Sequence, residues 1–120
     1  CFKTADLIAN YLKLEKKSYE VVFQSRFGKA EWLQPYLAKR LQELPKESIK
    51  NIQVFCPGFV CDCLETLGEI AKESKELFLE SGGSMFNFIP CLNGDDKFIK
   101  TLKNIIIDAD QRSLDYITLL

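Results

Sequence analysis

The segment that most constrains the fold is residues 56–70, where an apolar run ends at a Pro-Gly turn and an acidic, helix-forming sequence follows. Residues 49–55 before it are rich in β-branched and aromatic side chains, so they predict a strand. From Leu64 onward the apolar residues recur at helical spacing. Because open α/β sheets bind ligands at the carboxyl ends of their strands, this strand end is a candidate site. The residues there that can hold a cation or a proton are Asp62, Cys63, Glu65 and Glu69.

The rest of the chain alternates between helical and extended patterns. Apolar residues recur at helical spacing in segments 4–14, 37–44, 64–78 and 96–109, and β-branched or aromatic residues dominate segments 19–23, 49–55 and 86–92. Thr4 is the predicted N-cap of the first helix, and Gly82-Gly83 predicts a left-handed stop after the third. Helices that alternate with strands predict an α/β fold, with a parallel sheet covered by helices on both faces.

Length and composition limit the class of protein. At 120 residues the chain is long enough for one core. Sixteen basic residues against seventeen acidic ones leave no excess positive charge for nucleic acid, and no apolar run approaches the roughly 20 residues that cross a bilayer. The five cysteines are odd in number and no secretory signal is present, which favours a reducing cytosol. The start at Cys1 and the absence of histidine suggest processing or a fragment.

Glu65 and Glu69 lie four residues apart, so one helical face carries both carboxylates. If both are simply solvated they repel each other by about 0.2–0.5 kcal/mol, and a bound cation reverses that sign. Two plainer interpretations stay open. The pair can belong to an exposed acidic face that continues through Glu73, or Glu65 can close a capping box with Asp62 as N-cap.

The cysteine spacing argues against structural zinc, because Cys56, Cys61 and Cys63 lack a second Cys-x-x-Cys pair and no histidine completes the ligand set. Cys56 and Cys91 are predicted to be buried as small apolar side chains. Cys63 stands beside Asp62 at the start of a helix, a position that favours a thiolate.

Trp32 is a lone large aromatic side chain near Gly28, and it suits either a core anchor or a flat wall for a planar ligand. The glycine-bearing segments 27–29 and 81–84 match neither a P-loop nor a dinucleotide fingerprint. Without histidine or a Gly-x-Ser-x-Gly elbow, no hydrolase triad can be assembled. The residues alone therefore indicate an acidic, thiol-bearing site at a strand-to-helix turn.

Several separated motifs, in order and in register, resemble the C-terminal half of ferrochelatase, and the match runs from Cys1 to about Ala109. The motifs are Gln24–Gly28, Trp32-Leu33, Pro57–Phe59, Asp62–Ile70 and Ile89–Asn93. The resemblance implies one of two similar Rossmann-like halves with a porphyrin between them, and hence a three-layer α/β/α domain. It also implies insertion of ferrous iron into protoporphyrin IX to form protoheme, the last step of heme synthesis.

The resemblance assigns roles to single residues. It makes Glu65 and Glu69 catalytic residues on a metal and proton path, with Glu65 and Cys63 as metal ligands. It places Trp32, Gln24 and Ser25 in the porphyrin pocket. Many ferrochelatases have Asp-His-Ile-Glu-Thr where this chain has Asp-Cys-Leu-Glu-Thr. Cys63 therefore replaces a histidine, as in a proteobacterial variant of the family.

The resemblance also implies what lies around this chain. Residues 1–120 are expected to be the C-terminal domain of a longer two-domain protein, with 110–120 as an unassigned tail that packs against something. The partners are then protoporphyrin IX, ferrous iron as the substrate metal, and the N-terminal half of the same protein. Because the family's other essential histidine belongs to that half, the isolated chain is expected to be inactive.

Three further expectations concern cofactor, location and class. No cysteine follows Cys91, so no iron–sulfur cluster is expected. We expect a bacterial cytoplasmic location, with attachment to a membrane surface left open. The alternatives to a ferrochelatase are a non-catalytic module that binds a tetrapyrrole or a metal, and a chelatase for cobalt or nickel.

Overall fold

The computed structural model describes residues 1–24 and 31–111, with the side chains through Ala109. A short 3₁₀ turn at Lys16–Ser18 follows the first helix. The helices and strands, in chain order, are α1 (Phe2–Tyr11), α2 (Leu37–Glu43), β1 (Asn51–Phe55), a π-helix (Glu65–Ser74), α3 (Lys75–Glu80), β2 (Met85–Ile89) and α4 (Asp96–Gln111).

Strands β1 and β2 pair in parallel, in a register that runs from Asn51 opposite Met85 to Phe55 opposite Ile89. The π-helix and α3 connect them, as parallel pairing requires, because parallel strands cannot be joined by a tight hairpin. This βαβ unit confirms the predicted α/β fold with a parallel sheet. It also brings the ends of both strands to the same edge.

The core lies where helices meet this sheet. Phe78 of α3 and Phe86 of β2 have ring centroids 6.1 Å apart, and Phe78 is fully buried. Burial of one such side chain contributes roughly 1.5–3 kcal/mol. Ile70 of the π-helix belongs to the same buried cluster, so the packing that stabilises the domain also fixes the π-helix against the sheet. The buried residues of the cluster are Leu37, Leu41, Ile70, Phe78 and Phe86.

The first helix begins two residues earlier than the sequence predicts. Cys1 precedes the first helical residue, so Thr4 lies inside α1 and the prediction of Thr4 as N-cap is wrong. The helix ends at Tyr11, and Lys13 beyond it has a positive φ of 56° that no α-helix continues through.

Among residues 1–24 and 31–111, no helix is both long and apolar enough to cross a membrane.

The predicted strand at residues 19–23 is also wrong. Phe23 forms one isolated parallel bridge with Tyr36. Its N–H donates to the Pro35 carbonyl over 2.9 Å, and its carbonyl accepts from the Leu37 N–H over 2.9 Å. The pairing extends no further because Pro35 has no N–H to donate and α2 begins at Leu37.

The helical segment after β1 is the predicted one, but its first ten residues form a π-helix rather than an α-helix. Its predicted stop is confirmed, since α3 ends before Gly82, which has a φ of 98°. The Lys50 ammonium donates to the Gly82 carbonyl over 2.9 Å. A side chain on Gly83 would overlap the ring of Phe78, so this turn packs directly on the core.

The last helix begins at Asp96, as its helical spacing predicts, and Asp95 caps it. The Asp95 carboxylate accepts hydrogen bonds from the N–H groups of Lys97 and Phe98, over 2.9 and 3.2 Å. These are the donors that a helix N-terminus leaves without an intrahelical acceptor. The segment 93–95 lies between β2 and α4, and Asn93 bonds to the loop that follows β1.

Candidate functional site

The loops that follow β1 and β2 are joined by a reciprocal pair of hydrogen bonds. The Asp62 main-chain N–H donates to Asn93 Oδ1 over 2.8 Å, and Asn93 Nδ2 donates to Asp62 Oδ2 over 2.7 Å. The Asn93 N–H also donates to the Val60 carbonyl over 2.9 Å. This edge of the sheet is where open α/β folds bind ligands.

The other carboxylate oxygen of Asp62 is occupied as well. It accepts from Thr66 Oγ1 over 3.1 Å and from the Cys91 N–H over 3.2 Å. These bonds favour the ionised carboxylate, and the one from Asn93 is the largest cause of the lowered pKa of Asp62. The charged Asp62 carboxylate therefore binds groups of the protein itself through both of its oxygens.

Thr66 fixes the start of the π-helix from a fully buried position. Its hydroxyl accepts from the Cys63 N–H over 2.9 Å, while the Cys63 carbonyl accepts from the Leu67 N–H over 2.9 Å. No side chain caps the π-helix at its N-cap residue, Leu64. The structure therefore contradicts the capping-box interpretation of Asp62 and Glu65, because the Asp62 carboxylate accepts from the Thr66 hydroxyl instead.

Glu65 is the first residue of the π-helix, and its side chain is exposed. The neighbouring Cys63 thiol donates to this carboxylate and is the largest cause of its lowered pKa. The structure thus brings together the two residues predicted as metal ligands. An ionised, accessible carboxylate beside a thiol can accept a proton or hold a borderline cation.

Gln24 lies against the same first turn of the π-helix. Its side-chain Nε2 donates to the Glu65 carbonyl over 3.0 Å and to Glu69 Oε2 over 2.9 Å. Glu69 is half-buried, whereas Glu73 farther along the helix is exposed. Glu69 is therefore not part of a simply solvated acidic face, which was one of the interpretations that the sequence left open.

Of the two remaining residues predicted to line the pocket, Trp32 and Ser25, the structure describes only Trp32. Trp32 lies in the loop before α2 with 46% of its surface exposed, which contradicts the core-anchor interpretation. Its backbone is held by Tyr36, whose hydroxyl is 3.4 Å from the Trp32 nitrogen and 3.5 Å from the Trp32 oxygen. Ser25 lies outside the described residues.

The cysteines near the strand ends behave as apolar side chains. Burial is the largest cause of the raised pKa of Cys56, and it raises the pKa of Cys91 to about 11. Cys91 is buried, as predicted, whereas Cys56 is only half-buried. Within residues 1–24 and 31–111, no three or more Cys, His, Asp or Glu side chains converge on a point that could hold a metal ion.

Two residues of this site were not assigned a role from the sequence. Asn93 sits next to Gly94 in a segment typical of a loop, and Thr66 is a single threonine on a helix. Their partners are revealed only by the fold, because Asn93 is 31 residues from Asp62. The one available signal was the presence of both in the motifs that resemble ferrochelatase.

Comparison with known proteins identifies the family. The ferrochelatase family model matches residues 1–110. A ferrochelatase of Janthinobacterium sp. (strain Marseille) is 57% identical over 105 residues, which are 88% of this chain and 28% of that protein. That of Herminiimonas arsenicoxydans is 56% identical with the same coverage, and that of Methylobacillus flagellatus is 51% identical over 108 residues, 90% of this chain and 31% of that protein. The chain therefore spans less than a third of the length of these relatives, and it belongs to the ferrochelatase family.

Proposed function

We propose that these residues form the C-terminal part of a ferrochelatase that inserts ferrous iron into protoporphyrin IX to form protoheme. The observation that carries the proposal is the first turn of the π-helix, which presents the exposed Glu65 carboxylate next to Cys63 after the end of β1. Gln24 ties the same turn to Glu69. The names of the relatives support the reaction.

The reaction needs a base and an entry point for a cation. Two pyrrole N–H protons leave the porphyrin as one Fe²⁺ enters, so the charge of the metal replaces that of the two protons. A carboxylate can accept such a proton or bind the incoming ion. Glu65 is assigned to this step because its side chain is exposed and its lowered pKa keeps the carboxylate ionised, the form that can bind the ion or accept a proton.

Glu69 supports the same step from one turn away. Its carboxylate is held by Gln24 at 2.9 Å, so its negative charge has a fixed position behind Glu65. Two carboxylates on one helical face attract a divalent cation, and the attraction is strongest where water is partly excluded. Cys63 adds a soft donor to this path, which makes Glu65 and Cys63 the proposed ligands of the passing iron.

The porphyrin pocket is proposed to include Trp32, Gln24 and Ser25. The exposed indole of Trp32 offers a flat apolar face for the macrocycle. Gln24 would then have two roles, because it lines the pocket and also donates to Glu69. The ligand is therefore placed near the carboxylates that act on it.

Residues 1–120 are proposed to be the C-terminal domain of a longer protein of proteobacterial type, whose N-terminal half closes the porphyrin cleft. Such a protein would act in the bacterial cytoplasm, in solution or at a membrane surface. The isolated 120 residues are expected to give no turnover, since they supply only part of that cleft.

The test is an anaerobic assay of the full-length protein with ferrous iron and protoporphyrin IX, followed by loss of porphyrin fluorescence. Heme formation supports the proposal. Porphyrin binding without metal insertion would instead identify a non-catalytic binding module. Faster insertion of cobalt or nickel than of iron, measured in competition, would identify a chelatase for another metal.

A further inference from the structure

We propose that Asn93 and Asp62 form a clasp that positions the Glu65 carboxylate, so that both are positioning residues rather than ligands or bases. The clasp consists of the Asn93 side-chain amide, the main-chain N–H and carboxylate of Asp62 to which it bonds, and the Thr66 hydroxyl, which donates to the same carboxylate. The inference rests on the proposed function, because the group that is positioned is the one that the function assigns to proton and metal transfer.

The amide of Asn93 has one arrangement that satisfies all its neighbours. Its oxygen accepts from the Asp62 N–H over 2.8 Å. Its nitrogen donates to Asp62 Oδ2 over 2.7 Å and to the Cys91 carbonyl over 3.1 Å. An amide has two N–H donors and one oxygen, so each is used here. A carboxylate or a hydroxyl at position 93 cannot reproduce this set.

The backbone of Asn93 suits the same role. Its φ of 49° is in the left-handed region that asparagine and glycine tolerate best, and its N–H donates to the Val60 carbonyl. This backbone conformation places the Asn93 side-chain amide against the loop after β1. This loop carries both Asp62 and Cys63.

Asp62 connects Asn93 to the π-helix, because its carboxylate also accepts from Thr66 of that helix. One of its oxygens accepts from Asn93, and the other accepts from Thr66 and from the Cys91 N–H. With both oxygens used, Asp62 is poorly placed to bind iron or take a pyrrole proton, although it neighbours Cys63. It instead orients the buried Thr66 hydroxyl, which accepts from the Cys63 N–H over 2.9 Å. Glu65 lies between Cys63 and Thr66 in the chain and begins the π-helix, so this bond fixes the turn that carries the Glu65 side chain.

The test compares Asn93→Gly with Asn87→Ala in the full-length protein. Glycine removes the amide while it accepts the positive φ, and Asn87 is an exposed asparagine of β2 outside the clasp. We expect Asn93→Gly to lower kcat for iron insertion about 10- to 100-fold, the range typical of residues that orient a metal ligand. The KM for protoporphyrin is expected to stay within a factor of two or so, and Asn87→Ala should behave as wild type.

A second pair of variants keeps the proposal testable if Asn93→Gly does not fold. Thr66→Val removes the hydroxyl and should lower kcat in the same way, whereas Thr66→Ser keeps it and should restore most of the activity. Unchanged kcat in folded Asn93→Gly, or equal losses in Thr66→Val and Thr66→Ser, would overturn the clasp.

Hydrogen exchange of the Cys63 main-chain amide separates this inference from the proposed function. We expect faster exchange of this amide in Asn93→Gly than in wild type, because its acceptor, Thr66, is no longer held. Faster exchange in a protein that shows no insertion even as wild type would support the clasp and reject the function. Unchanged exchange would reject the clasp whatever the activity.

Discussion

The side-chain amide of Gln24 donates to the Glu69 carboxylate over 2.9 Å and to the Glu65 carbonyl over 3.0 Å. One side chain thus contacts both glutamates of the candidate site from a segment more than 40 residues away in sequence. The segment is held in place by the bridge between Phe23 and Tyr36. The position of the two glutamates therefore depends on packing outside the π-helix.

Gln24→Met is expected to remove both of these hydrogen bonds while it keeps the length of the side chain. We expect the free energy of unfolding to fall by about 1 kcal/mol, because hydrogen bonds to a partly exposed carboxylate lie toward the lower end of the usual range. Urea unfolding of the full-length protein measures this change. Gln42→Met on the exposed side of α2 is the matched control. Equal stability of the two variants would show that the Gln24 contacts contribute nothing.

Cys63→Ala is expected to shift the pH profile of metal insertion. The Cys63 thiol lowers the pKa of Glu65, so in wild type this carboxylate stays ionised to a lower pH. Without the donor the pKa rises toward its ordinary value, and turnover should begin to fall at a higher pH on the acidic side. Cys63→Ser retains a hydrogen-bond donor, so the acidic limb of its pH profile should stay close to that of wild type, whatever its maximal rate. The same acidic limb in Cys63→Ala and wild type would contradict the account.

Gly83→Ala is expected to destabilise the domain, because the added methyl group would overlap the ring of the fully buried Phe78. Overpacking of a filled core costs typically about 1–3 kcal/mol. Gly58→Ala is the control, since nothing lies within 4 Å of a side chain added there. Thermal unfolding of the full-length variants should give a lower Tm for Gly83→Ala alone. A Tm equal to that of Gly58→Ala would show that the turn relaxes freely.

Arg40→Met is expected to reduce stability near neutral pH. Arg40 contacts Glu20, Glu43 and Glu47 at 2.8, 2.7 and 2.9 Å, and it lowers the pKa of Glu47. A carboxylate with a lowered folded-state pKa stabilises the fold above its unfolded pKa, and this contribution is lost as the pH falls through the folded value. The difference in Tm between Arg40→Met and wild type should therefore shrink as the pH falls below about 4.

Lys39→Met is the control for that comparison, because Lys39 is exposed and its ammonium is 3.8 Å from Glu43. Surface pairs of this kind contribute little to stability. A similar loss of Tm in the two variants, or a difference for Arg40→Met that does not change with pH, would contradict the prediction. Either result would show that the ion pairs of Arg40 with Glu20, Glu43 and Glu47 do not cause the loss of stability.

Local patterns in the sequence predicted much of the fold. The β-branched run before Pro57, the helical spacing after Leu64 and the stop at Gly82 each depend on neighbours in the chain, so periodicity and turn chemistry could identify them. The parallel pairing of β1 with β2 followed, since a strand, a helix and a strand joined by short turns pair in that way. The strand predicted near Phe23 failed because strand formation needs a pairing partner, and a proline limits the one available.

The candidate site was less predictable, because its hydrogen bonds join distant segments. The contact of Gln24 with Glu69 and that of Asp62 with Asn93 span 45 and 31 residues, and no local pattern encodes either. The change from an α-helix to a π-helix was equally hidden, since Glu65 and Glu69 share a face in both. The roles of these residues came instead from the resemblance to ferrochelatase.

The most direct test of the account is the rate of ferrous iron insertion by Glu65→Gln in the full-length protein. Glu73→Gln, an exposed glutamate of the same π-helix, is the matched control. Circular dichroism should first establish that both variants fold as wild type does. We predict a loss in kcat of about 100-fold or more for Glu65→Gln, the range expected for a base that takes a proton in the reaction, and a near wild-type rate for Glu73→Gln. A near wild-type rate for folded Glu65→Gln would contradict the assignment of Glu65 to proton and metal transfer.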